Sequence, residues 1–284
     1  MIAAASALPA QPAPSATPTP LVRSPGNADW AVSLAEARQR ASGQQKFIFV
    51  EFDRQGCGNC QRMDQLLYPA FDFEALLVPM VPIKVDLDSP EGQALGLRYE
   101  IDEAPSVLVV TPEGRLAFLM QGFQNAPDFY RHIHEQLDAY RRFARKIDAQ
   151  DVAKLPAPEA LSSGRELSQR HDPAAALPRL ERVGRAPGGT DAMREEALEL
   201  AASAELELGN PAAAQRTIQK LISSTKDPAR QERAELFRAQ IPLSANNPAE
   251  ALKLLQDFRK AYPQSAYAAQ VDAIIQKLQE ARPR

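Results

Sequence analysis

Three stretches in the second half of this chain are near-copies of one another: "HDPAAALPRLERV", "GNPAAAQRTIQKLI" and "NNPAEALKLLQDF". Their prolines, Pro173, Pro211 and Pro248, lie 38 and 37 residues apart (211 − 173 and 248 − 211). A polar residue precedes each proline, which suits a helix start, where the N–H that proline lacks has no partner anyway. Alanine and leucine then recur at helical spacing. Between the copies, "TDAMREEALELAASAELELG" and "DPARQERAELFRAQIPLSA" read as the preceding helix of each pair. A fixed period built from two helices marks an α-solenoid, in which each unit buries its apolar face against its neighbours. "YPQSAYAAQVDAIIQKLQ" reads as a capping helix. Pro178 and Pro242 fall inside expected helices and predict a kink or a shortening there.

From Trp30 to about Arg145 strand and helix signals alternate instead. "DWAVSLAEARQRASGQQ" has helical spacing and ends near Gly43. "KFIFVEF" is an almost unbroken apolar run, as expected of a strand buried on both faces. "CQRMDQLLYPAF" is helical up to Pro69, and "VPIKVDLD" is a second strand. "PSVLVVTPEGRLAFLMQGF" reads as two strands joined by a "TPEG" turn. "APDFYRHIHEQLDAYRRFARKI" is a long helix with Pro127 in its first turn. The order β-α-β-α-β-β-α behind a leading helix predicts an α/β domain, a mixed sheet with helices on both faces. In such sheets, ligands bind at the carboxyl ends of the strands.

The chain's two cysteines, Cys57 and Cys60, stand at that edge, in "DRQGCGNCQRMDQ". Residues three apart at a helix start lie one turn apart on one face, within reach of a disulfide. At the first helical position, Cys57 meets unpaired N–H groups and the positive end of the helix dipole, both favouring thiolate. Cysteines so placed commonly titrate at roughly 3.5–7.5 rather than 8.5, and the thiolate is the attacking species. Cys60, deeper in the helix, is expected to stay protonated until it resolves a mixed disulfide. The alternatives are a metal site and a structural disulfide. Tetrahedral zinc takes about four ligands, and beyond the two cysteines the chain offers only His132, His134 and His171, the first two on different helix faces. A disulfide closing so short a loop adds little entropic stability.

The first half resembles the thioredoxin superfamily over about residues 30–145, and especially members that open with a tryptophan before the first helix. "FVEF…CGNC", "IKVDLD", "YEIDEAPSVLVV" and "QGF" carry the likeness. The resemblance implies Cys57 as nucleophile, Cys60 as resolving thiol and Pro105 as a cis-proline facing the pair. Ala104, before it, lies where a substrate's extended backbone would pair. Glu51, six residues before Cys57, occupies the position of a buried acid that moves the resolving cysteine's proton; the alternative is a glutamate pointing to solvent. Lys84 matches a lysine often near that acid, or is a solvated strand lysine. Gly122 matches a glycine at the rim of the site. The chain departs from the usual pattern at Gly56, where an aromatic is common, and at Gly58-Asn59, where Gly-Pro is common. Both changes predict a more open site with a less rigid helix start. Arg54 and Arg62 either add positive potential near Cys57 or are solvated. The second half resembles tetratricopeptide repeats, with Ala251 as the small residue early in a second helix and Pro263 as the terminal proline, though its period is longer than usual.

The expected organisation is therefore a signal remnant and proline-rich tether (residues 1–29), a thioredoxin-like domain (30–145), a linker (146–158) and an all-α helical-repeat domain (159–284). Ala5-Ser6-Ala7 fits a small-x-small cleavage rule, and "LPAQPAPSATPTPLVRSP" holds six prolines in 18 residues, a composition of extended tethers. Both favour an exported protein over a cytoplasmic one. A net charge of −3 gives no reason to expect nucleic acid as a partner, and no apolar run approaches the roughly 20 residues of a membrane span. The expectation is a thiol–disulfide oxidoreductase that reduces or isomerises disulfides of protein clients. It needs no cofactor beyond the redox-active Cys57–Cys60 disulfide, and an external thiol donor restores the dithiol. Nothing resembles the large helical insertion of dedicated oxidising members. The alternative is an adaptor or co-chaperone whose repeats bind clients and whose thioredoxin-like domain is a docking platform.

Overall fold

A computed structural model describes residues 28–280; the expected signal remnant and most of the tether lie outside that range. The described chain divides into two compact units, residues up to Gln150 with Arg170–Asp172, and Asp151–Gln169 with the residues from Pro173 onward.

The first unit is a four-stranded mixed sheet in the order β2-β1-β3-β4, built from β1 (Phe47–Asp53), β2 (Met80–Asp86), β3 (Ser106–Val110) and β4 (Leu116–Gln121). β1 and β2 are parallel, while β1–β3 and β3–β4 are antiparallel. β1 is buried along its whole middle, which accounts for its lack of apolar–polar alternation. Ala31 adds one parallel bridge to Ile83. Around the sheet lie α1 (Leu34–Gln44), α2 (Gly58–Leu66), α3 (Phe71–Leu76), α4 (Pro90–Tyr99) and α5 (Ala126–Asp148). Caps set three of their starts: Ser33, Ser89 and Asn125 each accept from a backbone N–H in the first turn, satisfying donors that a helix start leaves unpaired. α5 buries Phe129, Ile133, Leu137, Tyr140, Phe143 and Ile147, a stripe at helical spacing. The six-residue α3 was not anticipated beyond Pro69. Gly92 in α4 sits against the backbone of Asp86 and Leu87, where an added Cβ would lie 2.0 Å from the Asp86 carbonyl oxygen.

The second unit is all helical: α6 (Ala157–Gln169), α7 (Pro173–Val183), α8 (Asp191–Glu207), α9 (Pro211–Ser224), α10 (Pro228–Ser244), α11 (Pro248–Ala261) and α12 (Ala268–Glu280). Each packs chiefly on its neighbours in sequence, as nearest-neighbour repeats do. Residues 146–158, read as a linker, hold the last turn of α5, a short 3-10 turn at Val152–Lys154 and the first residues of α6. Pro178 lies inside α7 and Pro242 near the end of α10, and neither helix stops at its proline. Each proline forfeits one backbone hydrogen bond, a loss these helices absorb through packing on both sequence neighbours.

Candidate active site

β1 ends at Asp53, and the chain turns through Gly56, whose φ of 79° is the left-handed conformation glycine adopts without strain. α2 then begins at Gly58 with Cys57 as its N-cap rather than its first helical residue. Cys57 Sγ accepts from the Cys60 backbone N–H at 3.1 Å, so the sulfur itself satisfies one of the unpaired donors of the helix start. Cys57 and Cys60 are joined in a disulfide with Cα atoms 5.3 Å apart. Cys57 is half-buried and Cys60 fully buried. Gly58 and Asn59, between them, are exposed.

The Ala104–Pro105 peptide bond is cis. The Ala104 carbonyl oxygen lies 3.7 Å from Cys57 Sγ, and the Gly122 N–H donates to the Pro105 carbonyl at 2.8 Å. Gly122 has φ of 81°, so Pro105 is held from the side of β4 by a residue in a conformation that favours glycine. Cys57, Ala104, Pro105 and Gly122 thus converge at one edge. Arg54 turns to Asp88, 3.1 Å away, and Arg62 is exposed.

Beneath the pair lies a cluster of ionisable groups. Glu51 is fully buried on β1 and opposite Lys84 in the β1–β2 register. Lys84, 5% exposed, places Nζ 2.6 Å from Asp64, 3.2 Å from Asp53 and 3.5 Å from Glu51. Burial pushes the Glu51 carboxyl up to about 8, against the opposing pull of Lys84. Burial alone would lower the Lys84 ammonium, but Glu51, Asp64 and Asp53 together raise it. The Tyr68 hydroxyl, fully buried, is pushed up first by burial and then by Glu51. Among the described residues, neither the Glu51 oxygens nor the Tyr68 hydroxyl has a hydrogen bond of normal geometry.

Asp53, Asp64 and Tyr68 were not anticipated. The signal for Asp53 was in the sequence: alternate strand residues share a face, and Asp53 is two beyond Glu51. Asp64 follows Cys60 by four residues and Cys57 by seven, on the same helix face. Among the described residues, a carboxylate oxygen of Asp53 and the sulfurs of Cys57 and Cys60 all lie within 4.8 Å of one another. Three ligands are fewer than the four of a structural zinc.

Residues 34–137 match the family described as a thioredoxin-like domain. Among solved structures, the chain is similar to a thioredoxin from Thermus thermophilus (24% identity, TM-score 0.33, covering 36% of this chain and 81% of that one). It is also similar to a DsbH oxidoreductase (19%, 0.36, covering 44% and 95%). A third match is the oxidised C-terminal domain of DsbD from Neisseria meningitidis (22%, 0.32, covering 36% and 90%). No curated protein matches the sequence. The first half is a thioredoxin-like domain, and its bonded C-x-x-C pair makes the protein a thiol–disulfide oxidoreductase in general class.

Proposed function

We propose that this protein reduces or isomerises disulfides of exported client proteins, while its helical repeats, of tetratricopeptide-like kind, hold the client or a partner. The observation that supports this most directly is the asymmetry of the pair: Cys57 is half-buried at the edge beside Ala104 and Pro105, and Cys60 is sealed. A client sulfur can reach only Cys57. Its thiolate attacks the client disulfide, forming a mixed disulfide and releasing one client thiolate. Cys60 then attacks Cys57, forming the Cys57–Cys60 bond and releasing the second client thiolate. Two electrons have passed to the client, and an external dithiol donor returns two to the pair. Between β2 and β3 the chain holds only the ten-residue α4, which favours reduction or isomerisation over dedicated oxidation. The reading of export rests on Ala5-Ser6-Ala7 and the proline-rich stretch after it.

Two measurements test the reading. Insulin reduction with dithiothreitol as donor should be lost in Cys57→Ser, and Cys60→Ser should accumulate mixed disulfides with exported proteins in cells. A wild type that turns over no protein disulfide with any thiol donor, yet suppresses aggregation, would establish the adaptor role instead.

A further inference from the structure

The loop that leads into the cis-proline reads "YEIDEAPS". Asp102 and Glu103 are consecutive acids in it, and both are exposed. Among the described residues, neither side chain has an ion pair or a hydrogen bond. The Ser106 hydroxyl donates to the Glu103 carbonyl at 2.7 Å, which fixes the backbone of the loop. The next carbonyl, that of Ala104, is the one 3.7 Å from Cys57 Sγ. Glu103 therefore stands one residue, about 3.8 Å of chain, from the residue that meets the reactive sulfur. The nearby cations do not cancel these acids. Arg54 is engaged by Asp88, and Lys84 by Asp64, Asp53 and Glu51. Arg62 is exposed but lies five residues beyond Cys57, turned about 140° around the helix axis from it. A Cβ added at Gly56, Gly58 or Gly122 would meet nothing within 4 Å, so at those three positions no side chain screens the approach to Cys57.

We propose that Asp102 and Glu103 determine specificity at this site, favouring client disulfides that are flanked by basic residues. The inference rests on the thiol–disulfide reading, in which Cys57 is the reactive atom; the two acids select what reaches it. A client whose extended backbone runs beside Ala104 carries its neighbouring residues past Glu103 and Asp102 at about 3.3 Å per residue. A lysine or arginine there meets two acidic side chains that no other group neutralises. A glutamate is repelled by both. Exposed pairs of this kind add little to a settled complex, because water and salt screen them. They act on the encounter instead, where complementary charge raises association rates about 10-fold or more at low salt.

Three short peptides test this with the full, reduced chain. Each carries one cysteine flanked on both sides by lysine, serine or glutamate, and joined as a mixed disulfide to 2-thiopyridine. The Cys57 thiolate forms a bond to the peptide sulfur, and the bond from that sulfur to thiopyridine breaks. Its electron pair leaves with the thiopyridine, which takes a proton from water and is read by absorbance as the neutral thione. Cys60 then attacks Cys57 and releases the peptide thiol. Each rate is divided by that with dithiothreitol, whose thiolate carries the same charge as that of Cys57, so only the surroundings of the sulfur remain. In about 0.01 M salt, where screening reaches about 30 Å, the lysine peptide should react about 10-fold faster than the serine peptide, the low end for steering. The glutamate peptide should react about 10-fold slower. In 1 M sodium chloride, with a screening length of roughly 3 Å, the three should converge. Asp102→Asn with Glu103→Gln should bring the low-salt rates within about twofold of one another, with the serine peptide unchanged. Asp102→Lys with Glu103→Lys should reverse the order, which damage to the fold could not produce. A wild type that treats the three peptides alike, or a lysine preference that survives intact in the neutral double variant, overturns the inference. A wild type that releases no thione from any peptide would instead overturn the thiol–disulfide reading beneath it.

Discussion

Trp30, Phe49, Tyr68 and Phe73 meet in one aromatic cluster in the thioredoxin-like half, with ring centroids 4.6–6.3 Å apart. The helical half intersperses alanine among larger aliphatics: Ala157, Ala160, Ala176, Ala202, Ala214 and Ala251 are all fully buried, beside Leu167, Leu221 and Leu255. The two interiors do different physical work. Large rings exclude water from a deep volume, and Glu51 and Lys84 sit in the low-dielectric space this creates. Alanine lets helices approach closely while keeping high helix propensity, and most charges of that half, the buried Arg179 apart, stay near the surface in ion pairs such as Arg165–Glu196 and Arg259–Asp272. One interior can perturb an acid's titration. The other sets the spacing of a stack.

The sharpest way to break this comparison is to hollow out the aromatic side. Phe73 is fully buried, and Phe73→Ala should cost about 3–5 kcal/mol through lost transfer energy and the cavity left behind. The chain has a single tryptophan, Trp30, stacked at 6.1 Å on Phe73, so its fluorescence in a urea titration reads this half alone. A loss below about 1 kcal/mol would show that the aromatic cluster is not what holds the sheet.

The next effect is electrostatic. The Glu51 carboxyl titrates near 8 in the folded chain against an ordinary 4.5. Between those values the folded chain keeps a proton that the unfolded chain has released. Stability therefore falls as pH rises through that window, by about 1.4 kcal/mol per pH unit where the slope is steepest, and levels off above it. Glu51→Gln should remove the slope in the oxidised protein, leaving it more stable than wild type at pH 9 and little changed at pH 4. Urea midpoints followed by Trp30 fluorescence across pH 4–9 would check it, and parallel wild-type and variant curves would refute it.

The same contrast explains what could be read from the chain before its structure. The buried strands and the repeat are long periodic signals, and both fold classes followed from them. So did the position of the cysteines after β1 at the start of a helix. α3 escaped because six residues span less than two turns, too few for periodicity to show, and Pro69 read as a stop. Cys57 as N-cap rather than first helical residue turns on one sulfur–amide contact, which spacing does not carry. The convergence of Asp53, Asp64 and Lys84 depends on the β1–β2 register: a one-residue slip would send Lys84 to the other face. Pro178 and Pro242 lie within helices that continue past them, because packing outweighs the single hydrogen bond each removes.

Among the helices, Gly164 tests whether spacing is the organising quantity. An added Cβ there would meet Leu180 Cδ2 at 2.7 Å and Cγ at 2.9 Å. Gly164→Ala gains about 1 kcal/mol of helix propensity but must push Leu180 aside, at a cost of about 1–3 kcal/mol, so α6 and α7 should be destabilised by about 1 kcal/mol net. Thermal unfolding followed by helical circular dichroism reads it. Adding Leu180→Ala should cost less than the two single changes summed, because the clash is shared; strict additivity would mean that Gly164 and Leu180 are not in competition for space.

The smallest effect falls on the ion pairs that stand in for buried charge in the helical half. Arg230 Nη1 lies 2.6 Å from Glu195 Oε2, joining α10 to α8, with side chains 20% and 16% exposed. Solvent reaches both groups, so Glu195→Gln should cost only about 0.2–1 kcal/mol. Salt separates this kind of pair from the one at Glu51. In 1 M sodium chloride the screening length falls to roughly 3 Å, and the difference between wild type and Glu195→Gln should nearly vanish. The pH slope assigned to Glu51 should survive the same salt, because desolvation rather than a solvated partner is its main cause. If salt erased both effects alike, the sealed aromatic interior would be no drier than the helical one, and the contrast between the halves would fail.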